Sequence, residues 1–571
     1  MALEIITRKV KRKRHIAFDL EWVPGSMKLR LIGVFDPEGG YRAYQSVENF
    51  FNNEFCHKNR GKWFYAHFGG RFDSSFFVDF LVRNKVEARF AFSGSMAVMI
   101  KIVYRGMRFT LVDSGRLYPT SLKKIGESIG MLKAGPENED EKEDFFANSS
   151  LLDLMYYNQR DVEILWHGIE EFQTRILAFG SDMQMSLAST AMTLFRRKYL
   201  KQNINTDKWV NDRAREAYFA SRVEVFQRKC DYGHMYDINS SFPYAMTFPC
   251  PGVIEKIRNR GTGPLMLPVN PDSIYIAEVE FSVPDEYLTP VPYRHEDGRV
   301  FFPTGRWRQW LTSIDIQELE KVGGVIYDVF HCIHFNPFSD LSAYAEDLYD
   351  KRKKATDETD KYIYKLLLNS LYGKFAESDE KQAIIISPTA EQLSKLGEEN
   401  EIMPGVYLAP EIAEVPHVHV PIAAHITAIA RRTLYESLDK AGDIYYCDTD
   451  SIVTTGKLEE SKELGGLKLE CSGSGTFIQP KVYTFGDKVK AKGFSLGKVN
   501  PKERFETLVA GGEVAVNLHM SLKQMFRKGI LEPRELKVVK RLQHSRPKRK
   551  MDKNGNSIPW TIEELKSGAS A

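Results

Sequence analysis

The first third of the chain combines strand-like and helix-like patterns of hydrophobic residues. Two segments within residues 15–35, IAFDLEW and LRLIGVF, are rich in β-branched and aromatic residues and flank Pro24-Gly25. They predict a β-hairpin. The polar, acidic stretch 135–144 predicts a surface loop, and the spacing of apolar residues over 151–172 predicts a helix. We expect this helix to close the first domain.

The remainder of the chain predicts further strands and two long helices. The segment HMYDI at 234–238 predicts a strand. Residues 343–376 predict a helix that a loop at 357–360 interrupts, and a regular apolar stripe predicts a second helix from Pro421. The segment IYYCDTDSIV at 444–453 predicts a strand directly after that helix.

Length and composition indicate a multidomain globular protein. At ~100 to 200 residues per domain, 571 residues suggest three to five folded units. The content of 43% hydrophobic, 27% charged and 12% aromatic residues excludes a disordered or fibrous chain. No apolar stretch reaches the ~20 residues that a membrane helix needs, and no apolar signal segment follows the basic N-terminus. We therefore expect a chain that is neither secreted nor inserted in a membrane.

The distribution of charge is more informative than its sum. The 79 Lys and Arg residues nearly balance the 76 Asp and Glu residues, for a net charge of +3. Basic residues cluster near both ends, and such clusters can neutralise phosphates. The N-terminal cluster at 8–14 fits a DNA contact and a solvated run equally well. For the C-terminal cluster we favour nucleic acid; its members are Arg541, Arg546, Lys548, Arg549, Lys550 and Lys553.

The cysteines predict a reduced, intracellular protein. The six cysteines are scattered and form no CxxC pair, which argues against a zinc ribbon and against a disulfide framework. His331, Cys332 and His334 lie close together in sequence, but no second pair of ligands accompanies them. They therefore do not predict a metal site.

Four acidic residues in the first third form what we call the first carboxylate group: Asp19, Glu21, Asp73 and Asp161. Asp19 and Glu21 alternate along the FDLEW strand, so both side chains point to one face among apolar neighbours, where unpaired charges are costly. Asp73 lies in HFGGRFD, and Tyr157 precedes Asp161 by one helical turn. Four such carboxylates can hold two metal ions about 4 Å apart, while a tyrosine orients the attacking water.

Three later acidic residues form the second carboxylate group: Asp237 in YDINSSFP, and Asp448 and Asp450 in YCDTDS. The alternation of Asp448 and Asp450 predicts that both lie on one face of a buried strand. Two carboxylates in that position need a cation or another partner.

A polar stripe lies between these motifs in sequence. In KLLLNSLYGKF, residues Lys365, Asn369 and Tyr372 fall at positions i, i+4 and i+7 of the predicted helix, opposite its leucines. A solvated helix face is the simpler interpretation. The appearance of all three motifs in order favours a functional one.

Both series of motifs resemble those of family B DNA polymerases. The order DxE, FD and YxxxD resembles their 3′–5′ exonuclease domain, and YDINSSFP, KLLLNSLYGKF and YCDTDS resemble their motifs A, B and C. Chain length and the gaps between the motifs resemble the protein-primed phage branch, which includes the small Bacillus phage replicative polymerases. The resemblance implies a mixed α/β (α+β) fold, with an RNase H-like exonuclease domain and a right-hand polymerase domain that contains two insertions.

The resemblance also implies a division of the chain into domains. The expected units are the 3′–5′ exonuclease domain (1–180), the first part of the palm (181–250), insertion one (251–340), the fingers (341–376), insertion two (377–417), the second part of the palm (418–495) and the thumb (496–571).

For synthesis, the resemblance implies two Mg²⁺ or Mn²⁺ ions per active site and dNTP substrates. Asp237 and Asp450 would bridge the metal ions, with Asp448 as a nearby carboxylate that tunes the site. Ile238, next to Asp237, is assigned to both the metal and the nucleotide. Phe242 stands where family members carry a tyrosine that blocks a ribose 2′-hydroxyl.

The polar stripe is assigned to the nucleotide by the same resemblance. Lys365 would neutralise the incoming triphosphate, and Asn369 would contact nucleotide or template. Tyr372 would lie behind the nascent base pair.

For proofreading, the resemblance assigns all four members of the first carboxylate group to catalysis and metal binding, with Tyr157 orienting the water. The catalytic lysine of the protein-primed enzymes corresponds to either Lys133 or Lys142. Phe68 replaces an asparagine that helps family members hold single-stranded DNA. We therefore expect an altered grip on the primer end but no loss of metal binding.

Further motifs resemble DNA contacts of the family. Ser121 and Leu122 in SLKKI resemble a primer-strand motif, and KVY, with Lys481 and Tyr483, resembles the KxY motif that supports the primer terminus. Lys492 lies in a basic run that can reach duplex phosphates. YFAS, which begins at Tyr218, occupies the place of a YxGG template contact. The missing glycines there put close approach of the backbone to DNA in doubt.

The protein-primed branch implies a set of partners and a setting. Insertion one would dock a terminal protein that primes synthesis, and insertion two would encircle the duplex and support processive strand displacement. We expect template and primer DNA as partners, with a single-stranded DNA-binding protein as a further one. The chain would act as a monomer in the cytoplasm of a bacterial host, encoded by a phage or mobile element. The alternatives are a family B polymerase that extends only ordinary 3′-OH primers, a nuclease or DNA-binding protein without synthesis, and a catalytically inactive scaffold.

Overall fold

The fold is described from a computed structural model of the chain. It covers residues 2–136, 139–261, 263–412, 415–494, 496, 500–543, 546–551 and 557–568. Among these residues no helix combines the length and the apolar character required to cross a membrane.

The strands of the described residues are, in chain order, β1 (Ala2–Leu3), β2 (His15–Val23), β3 (Lys28–Asp36), β4 (Gly40–Tyr44), β5 (Trp63–Ala66), β6 (Glu87–Ser93), β7 (Met96–Tyr104), β8 (Met107–Asp113), β9 (Ile204–Asn205), β10 (Val223–Val225), β11 (Lys229–Ile238), β12 (Cys250–Asn259), β13 (Ile274–Val283), β14 (Tyr293–Arg294), β15 (Val300–Phe301), β16 (Gly305–Thr312), β17 (Val325–Phe338), β18 (Glu380–Ile386), β19 (Glu401–Met403), β20 (Val406–Ile412), β21 (Ile444–Asp448), β22 (Ser451–Thr454), β23 (Leu467–Gln479), β24 (Val482–Phe485), β25 (Lys488–Ala491), β26 (Glu513–His519), β27 (Glu535–Arg541), β28 (Lys550–Met551) and β29 (Ser557–Ile558).

The α-helices of the same residues are α1 (Val47–Glu54), α2 (Val78–Arg83), α3 (Leu122–Ser128), α4 (Glu139–Asn148), α5 (Leu151–Ala178), α6 (Leu187–Lys198), α7 (Lys208–Glu216), α8 (Ser241–Ala245), α9 (Ser313–Lys321), α10 (Asp340–Lys354), α11 (Glu358–Ser370), α12 (Ala390–Leu396), α13 (Val420–Asp439), α14 (Pro501–Val509), α15 (Leu522–Arg527) and α16 (Ile562–Lys566).

A ten-stranded mixed sheet forms the N-terminal part of the molecule. Its strand order is β19-β20-β18-β6-β7-β8-β5-β2-β3-β4. The predicted hairpin is present as the antiparallel pair β2–β3. Helix α5 packs on β2 and β3, and a phenylalanine-rich cluster that includes Phe18, Phe50 and Phe77 covers the opposite face. The residues of insertion two extend this sheet, because β18 pairs with β6.

A seven-stranded sheet forms the second large layer, with the order β10-β21-β22-β11-β23-β24-β25. Helix α13, which begins as predicted beside Pro421, carries a buried apolar face that includes Ile422, Ile426 and Ile429. Two large sheets flanked by helices confirm the predicted mixed α/β class.

A four-stranded sheet has the order β12-β17-β13-β16. Apart from Cys250, the first residue of β12, its strands lie within residues 251–340. The last described segment packs against it: Ile562 joins the core of this sheet, and Trp560 and Leu565 enclose Phe301. Thr304 and Thr561 form a parallel bridge. Residues 557–566, expected in the thumb, therefore pack against the segment predicted to be insertion one.

The C-terminal basic cluster is used within the protein. Arg549 is 3% exposed and donates to the carbonyl of Tyr287 (2.7 Å) and the hydroxyl of Ser557 (3.0 Å). Its guanidinium lies 3.7 Å from Glu224. The nucleic-acid interpretation is wrong for this residue, because such a buried, paired guanidinium cannot reach a phosphate. Arg546, Lys548 and Lys550 likewise contact protein groups, and Lys553 lies outside the described residues.

Three expectations about local structure are wrong. Residues 139–144 belong to α4 instead of a loop. The segment 444–453 folds as the hairpin β21–β22 instead of one strand. Tyr372 lies in a 3₁₀ turn just after α11 ends at Ser370. The interruption predicted in the long helix is present, since Asp357 caps the N-terminus of α11 by accepting from the amide of Thr359.

Candidate functional site

The second carboxylate group assembles at the ends of three paired strands. Asp237 lies near the end of β11, opposite Ser451 of β22. Asp448 ends β21, and Asp450 lies in the tight turn before β22. The amide of Ile238 donates to the carbonyl of Asp450 (2.7 Å), which ties the turn to β11. The hairpin, and not alternation along one strand, brings the three carboxylates to one cleft of about 540 Å³.

Two of these carboxylates lie in surroundings that disfavour their charge. Burial, followed by the charge of Asp450, raises the pKa of Asp237 to about 7. Burial, followed by the charge of Asp448, raises the pKa of Asp450 to about 6. Burial and the neighbouring carboxylates therefore make ionisation of both groups unfavourable, and a bound cation would remove this penalty.

Asp448 differs because protein groups already neutralise it. Its carboxylate accepts from the amino group of Lys481 at 2.8 Å and from the hydroxyl of Thr449 at 3.1 Å. Lys490 lies 3.9 Å away. The observed pairing favours Asp237 and Asp450 as ligands and a supporting role for Asp448.

The protein backbone is strained beside this group. Lys481 and Thr449 adopt positive φ values of 64° and 66°, a region that non-glycine residues seldom occupy. The amide of Lys481 donates to the hydroxyl of Tyr446 (3.0 Å), which holds its backbone in place. Tyr483, two residues later, packs against the ring of Tyr446. The KVY segment therefore borders the cleft, as its motif predicts, whereas Lys492 lies exposed beyond it.

Sequence reasoning missed further polar residues of this cleft. Glu470 of β23 and Lys488 of β25 form an ion pair there, and the charge of Glu470 contributes to the raised pKa values of Asp237 and Asp450. Arg352 lies 3.5 Å from the hydroxyl of Ser240, next to α8. The run KRKK at the end of α10 was the available signal for Arg352, but sequence spacing alone did not connect it to YDINSSFP.

The polar stripe opens toward solvent. Lys365 and Asn369 are exposed on α11, while Ile363, Leu367 and Leu368 are buried. The stripe is therefore free to meet a ligand.

An aromatic stack lies at the end of this stripe. The ring of Tyr372 stacks on Phe242 of α8, with centroids 4.1 Å apart and planes 14° apart. This contact joins motif-like segments more than 100 residues apart. The side chain of Ile238 is buried in the apolar cluster beneath, so only its backbone is available to a ligand.

The raised pKa of Asp237 yields a prediction about stability. A carboxyl whose pKa is higher in the folded state stabilises the fold below its unfolded pKa, near 4, and loses that contribution as pH rises through about 7. We expect Asp237→Asn, in EDTA at pH 7.5, to have a free energy of unfolding larger than that of the wild type by about 1 to 2 kcal/mol after solvent screening, and therefore to unfold at a higher temperature. At pH 4.5 the difference should shrink.

Thermal unfolding followed by circular dichroism measures this effect. Asp231→Asn, an exposed carboxylate on the same strand β11, serves as the control and should change nothing. Added Mg²⁺ at pH 7.5 should stabilise the wild type more than Asp237→Asn. A variant that is less stable at both pH values contradicts the prediction.

The first carboxylate group also comes together. One oxygen from each of Asp19, Glu21 and Asp161 can be chosen so that all three lie within 4.8 Å of one another. Burial, followed by the charge of Asp161, raises the pKa of Asp19 to about 7, and burial likewise raises the pKa of Glu21. The Oδ1 atom of Asp161 is buried and has no hydrogen-bond partner. An orphaned carboxylate oxygen among like charges fits a divalent cation.

Lys133 is the lysine that the structure brings to this group. Its amino group lies 2.6 Å from Asp161 and 5.0 Å from the centre of the Tyr157 ring. Gly135 makes room for that ring, because a Cβ atom there would lie 2.4 Å from it. The charge of Lys142 also acts on Asp161, where it opposes the rise in pKa.

Asp73 lies beside these carboxylates and is held by the backbone. Its Oδ1 atom accepts from the amide of Leu20 at 3.1 Å, and the charge of Asp19 contributes to its raised pKa after burial. In the described residues it is not one of the three clustered ligands. The loop before it has Phe68 at φ 56°, a conformation that suits asparagine better than phenylalanine. The Phe68 ring fits because Gly115 has no Cβ atom to collide with it.

The structure places the two remaining DNA-contact predictions at domain surfaces. Ser121 caps α3 by accepting from the amide of Lys124, and Leu122 begins that helix. Tyr218, just after α7, is partly buried, and its carbonyl accepts from Arg294. Contact with DNA at these positions stays a prediction.

Comparison with known proteins shows what the chain is similar to. A family model described as DNA polymerase type B, organellar and viral, matches residues 132–411. Over this stretch the chain is similar to the family that its motifs resemble.

Individual relatives come from phages and fungi. The DNA-directed DNA polymerase of Enterobacteria phage PRD1 is 26% identical over 458 residues, covering 76% of each chain. A probable DNA polymerase of Neurospora intermedia is 28% identical over 363 residues, which cover 58% of this chain but only 37% of the relative. This chain therefore spans little more than a third of the length of the Neurospora protein.

The fold is that of a phage polymerase. The structure of Phi29 DNA polymerase complexed with primer-template DNA superposes with a TM-score of 0.72 at 18% identity, covering 93% of this chain and all of that one. This match confirms the predicted mixed α/β fold class.

Proposed function

We propose that the chain is a template-directed DNA polymerase with a 3′–5′ proofreading exonuclease. The proposal rests on one observation: one chain contains two separate carboxylate groups, one built on β2 and α5 and the other on β11 and the β21–β22 hairpin, and each includes carboxyls whose pKa burial raises. One metal-dependent nuclease would need only one such group. Two of them fit synthesis at the second carboxylate group and proofreading at the first.

In this proposal, Asp237 and Asp450 hold two divalent cations at the polymerase centre. Mg²⁺ or Mn²⁺, when bound, would activate the primer 3′-hydroxyl and neutralise the leaving pyrophosphate. Asp448 remains with Lys481, which keeps that lysine beside the primer end. Lys365 on the open face of α11 is free to bind the triphosphate, with Arg352 as a second cation on the same side.

At the first carboxylate group, the residues of the chain hold both the metal and the attacking water. Asp19, Glu21 and Asp161 supply clustered oxygens, and Asp73 lies next to them. The phenol of Tyr157 stays protonated because burial and the charge of Asp161 raise its pKa, so it can orient a water. Lys133 offsets part of the negative charge.

Primer extension tests the proposal directly. The purified full chain, a primed template, four dNTPs and Mg²⁺ should give extended primer. Omission of dNTPs should give shortening from the 3′ end. Shortening without extension would support a nuclease and contradict the polymerase.

We further propose protein priming with processive strand displacement. The support is the match of fold over the whole Phi29 chain and the two segments that interrupt the polymerase motifs, 251–340 and 377–417. Insertion one would dock a terminal protein and insertion two would enclose the duplex, in a bacterial cytoplasm and with single-stranded DNA-binding protein as a further partner. Labelled dATP with candidate terminal proteins should yield a covalent protein–nucleotide product. Extension of 3′-OH primers without that product favours the ordinary-primer alternative.

The stack of Phe242 on Tyr372 yields a prediction about sugar selection. Phe242→Ala removes the ring that would border the ribose, so incorporation of rNTPs relative to dNTPs should rise about 10- to 100-fold. Phe242→Tyr keeps the ring and should retain discrimination. Single-nucleotide insertion kinetics measure both. An unchanged ratio in Phe242→Ala would remove this residue from sugar selection.

A further inference from the structure

Asn158 is a fully buried polar residue next to the first carboxylate group. It lies in α5, directly after Tyr157, and is 0% exposed. Its Nδ2 atom donates to Oε1 of Glu21 at 3.1 Å and to the carbonyl of Asp19 at 3.3 Å. Its Oδ1 atom accepts from the hydroxyl of Tyr41 at 3.2 Å. All hydrogen-bonding groups of the amide therefore face this one site.

The orientation of the amide is fixed by its partners. The carbonyl of Asp19 can only accept, so the NH₂ group must face it and the neighbouring carboxyl of Glu21. The remaining oxygen meets Tyr41, whose phenol keeps its proton because burial and the nearby charges of Glu21 and Asp19 raise its pKa. Tyr41 therefore donates and locks the amide in one direction.

The neighbouring strand is shaped around this amide. Gly33 of β3 pairs with Asp19 of β2, and a Cβ atom at Gly33 would lie 1.4 Å from Oδ1 of Asn158. No side chain can therefore occupy this position while Asn158 keeps its place. The φ of Gly33 is not positive, so the close approach of Asn158, and not an unusual backbone conformation, requires glycine here.

We propose that Asn158 is a positioning residue that holds Glu21 and Asp19 in the geometry needed for a divalent cation. A neutral amide donor stabilises an ionised carboxylate without cancelling its charge, so the ligand pair stays available to the metal. A cationic donor in that place would compete with the metal, as Lys133 partly does for Asp161 on the other side. The inference rests on the proposed exonuclease and names how its ligands are held.

Metal binding provides a test that does not depend on turnover. In a full-chain background with Asp237→Asn and Asp450→Asn, which weakens the polymerase centre, Mn²⁺ binding is followed by electron paramagnetic resonance. Asn158→Ala should weaken Mn²⁺ affinity about 10- to 100-fold, the range for groups that orient metal ligands. Gly33→Ala leaves every polar group intact but displaces the side-chain amide of Asn158, so it should also weaken Mn²⁺ affinity.

A matched control lies one residue away. Gln159 of α5 donates to Glu163, outside the carboxylate group, and Gln159→Ala should leave Mn²⁺ affinity unchanged. Tyr41→Phe should give a smaller loss than Asn158→Ala, because the amide keeps its bonds to Glu21 and Asp19.

Kinetics with the polymerase centre intact separate positioning from folding. In Asn158→Ala, saturating Mn²⁺ should restore much of the exonuclease rate, so that the change lies mainly in the metal concentration required. DNA synthesis should stay at the wild-type rate. Unchanged Mn²⁺ affinity in both Asn158→Ala and Gly33→Ala overturns the inference, as does a parallel loss of synthesis and thermal stability. A wild-type chain whose Mn²⁺ affinity depends on Asn158 but which degrades no DNA would overturn the proposed proofreading alone.

Discussion

Asp450→Asn is expected to lower templated nucleotide incorporation by at least about a thousandfold, the scale seen when a preorganised catalytic group is removed. Asp450 lies in the β21–β22 turn with its pKa raised to about 6, and asparagine keeps its shape but removes the charge that a metal requires. Steady-state primer extension under excess dNTP measures the loss. The 3′–5′ exonuclease of the same preparation should be unaffected.

Two comparisons make this prediction specific. Asp443→Asn alters an exposed carboxylate just before β21 and should retain full synthesis. Asp448→Asn should cost less than Asp450→Asn, because Asp448 is already paired with Lys481. Substantial activity in the double variant Asp448→Ala plus Asp450→Ala would refute the assignment of the polymerase centre.

The second large effect concerns the other sheet. Asp19→Ala plus Glu21→Ala should reduce 3′–5′ degradation of single-stranded DNA by at least about a thousandfold, because two of the three clustered ligands are lost. Synthesis on a primed template should persist, since the second carboxylate group lies on a separate sheet. Degradation of an end-labelled oligonucleotide without dNTPs measures the loss.

Surface carboxylates of the same domain supply the control. Glu48→Ala plus Asp79→Ala removes two charges from α1 and α2 at a distance from the clustered ligands and should leave both activities intact. Residual degradation at the wild-type rate in Asp19→Ala plus Glu21→Ala would place the nuclease elsewhere.

Much of both sites could be predicted because short motifs specify chemistry together with local geometry. Asp19 and Glu21 share a strand face because side chains alternate along β2, and Tyr157 and Asp161 share a helix face because they lie one turn apart. Those periodicities are properties of the backbone. They hold without knowledge of the rest of the fold.

The parts that could not be predicted depend on contacts between distant segments. The alternation of Asp448 and Asp450 suggested a single strand, whereas a turn between β21 and β22 brings them together. Asn158 contacts Tyr41 only because β3 and β4 continue the sheet beyond β2. The C-terminal arginine Arg549 looked like a phosphate ligand because its burial beside Glu224 depends on a partner more than 300 residues earlier. Local sequence contains no signal for such partners.

The position of residues 557–566 has a consequence for the order in which the chain can fold during translation. The core of the four-stranded sheet needs Ile562, and Trp560 and Leu565 pack against Phe301. A ribosome reaches these residues only after it has made the chain from α10 through β27. The four-stranded sheet must therefore wait, incompletely closed, until residues 557–566 have emerged.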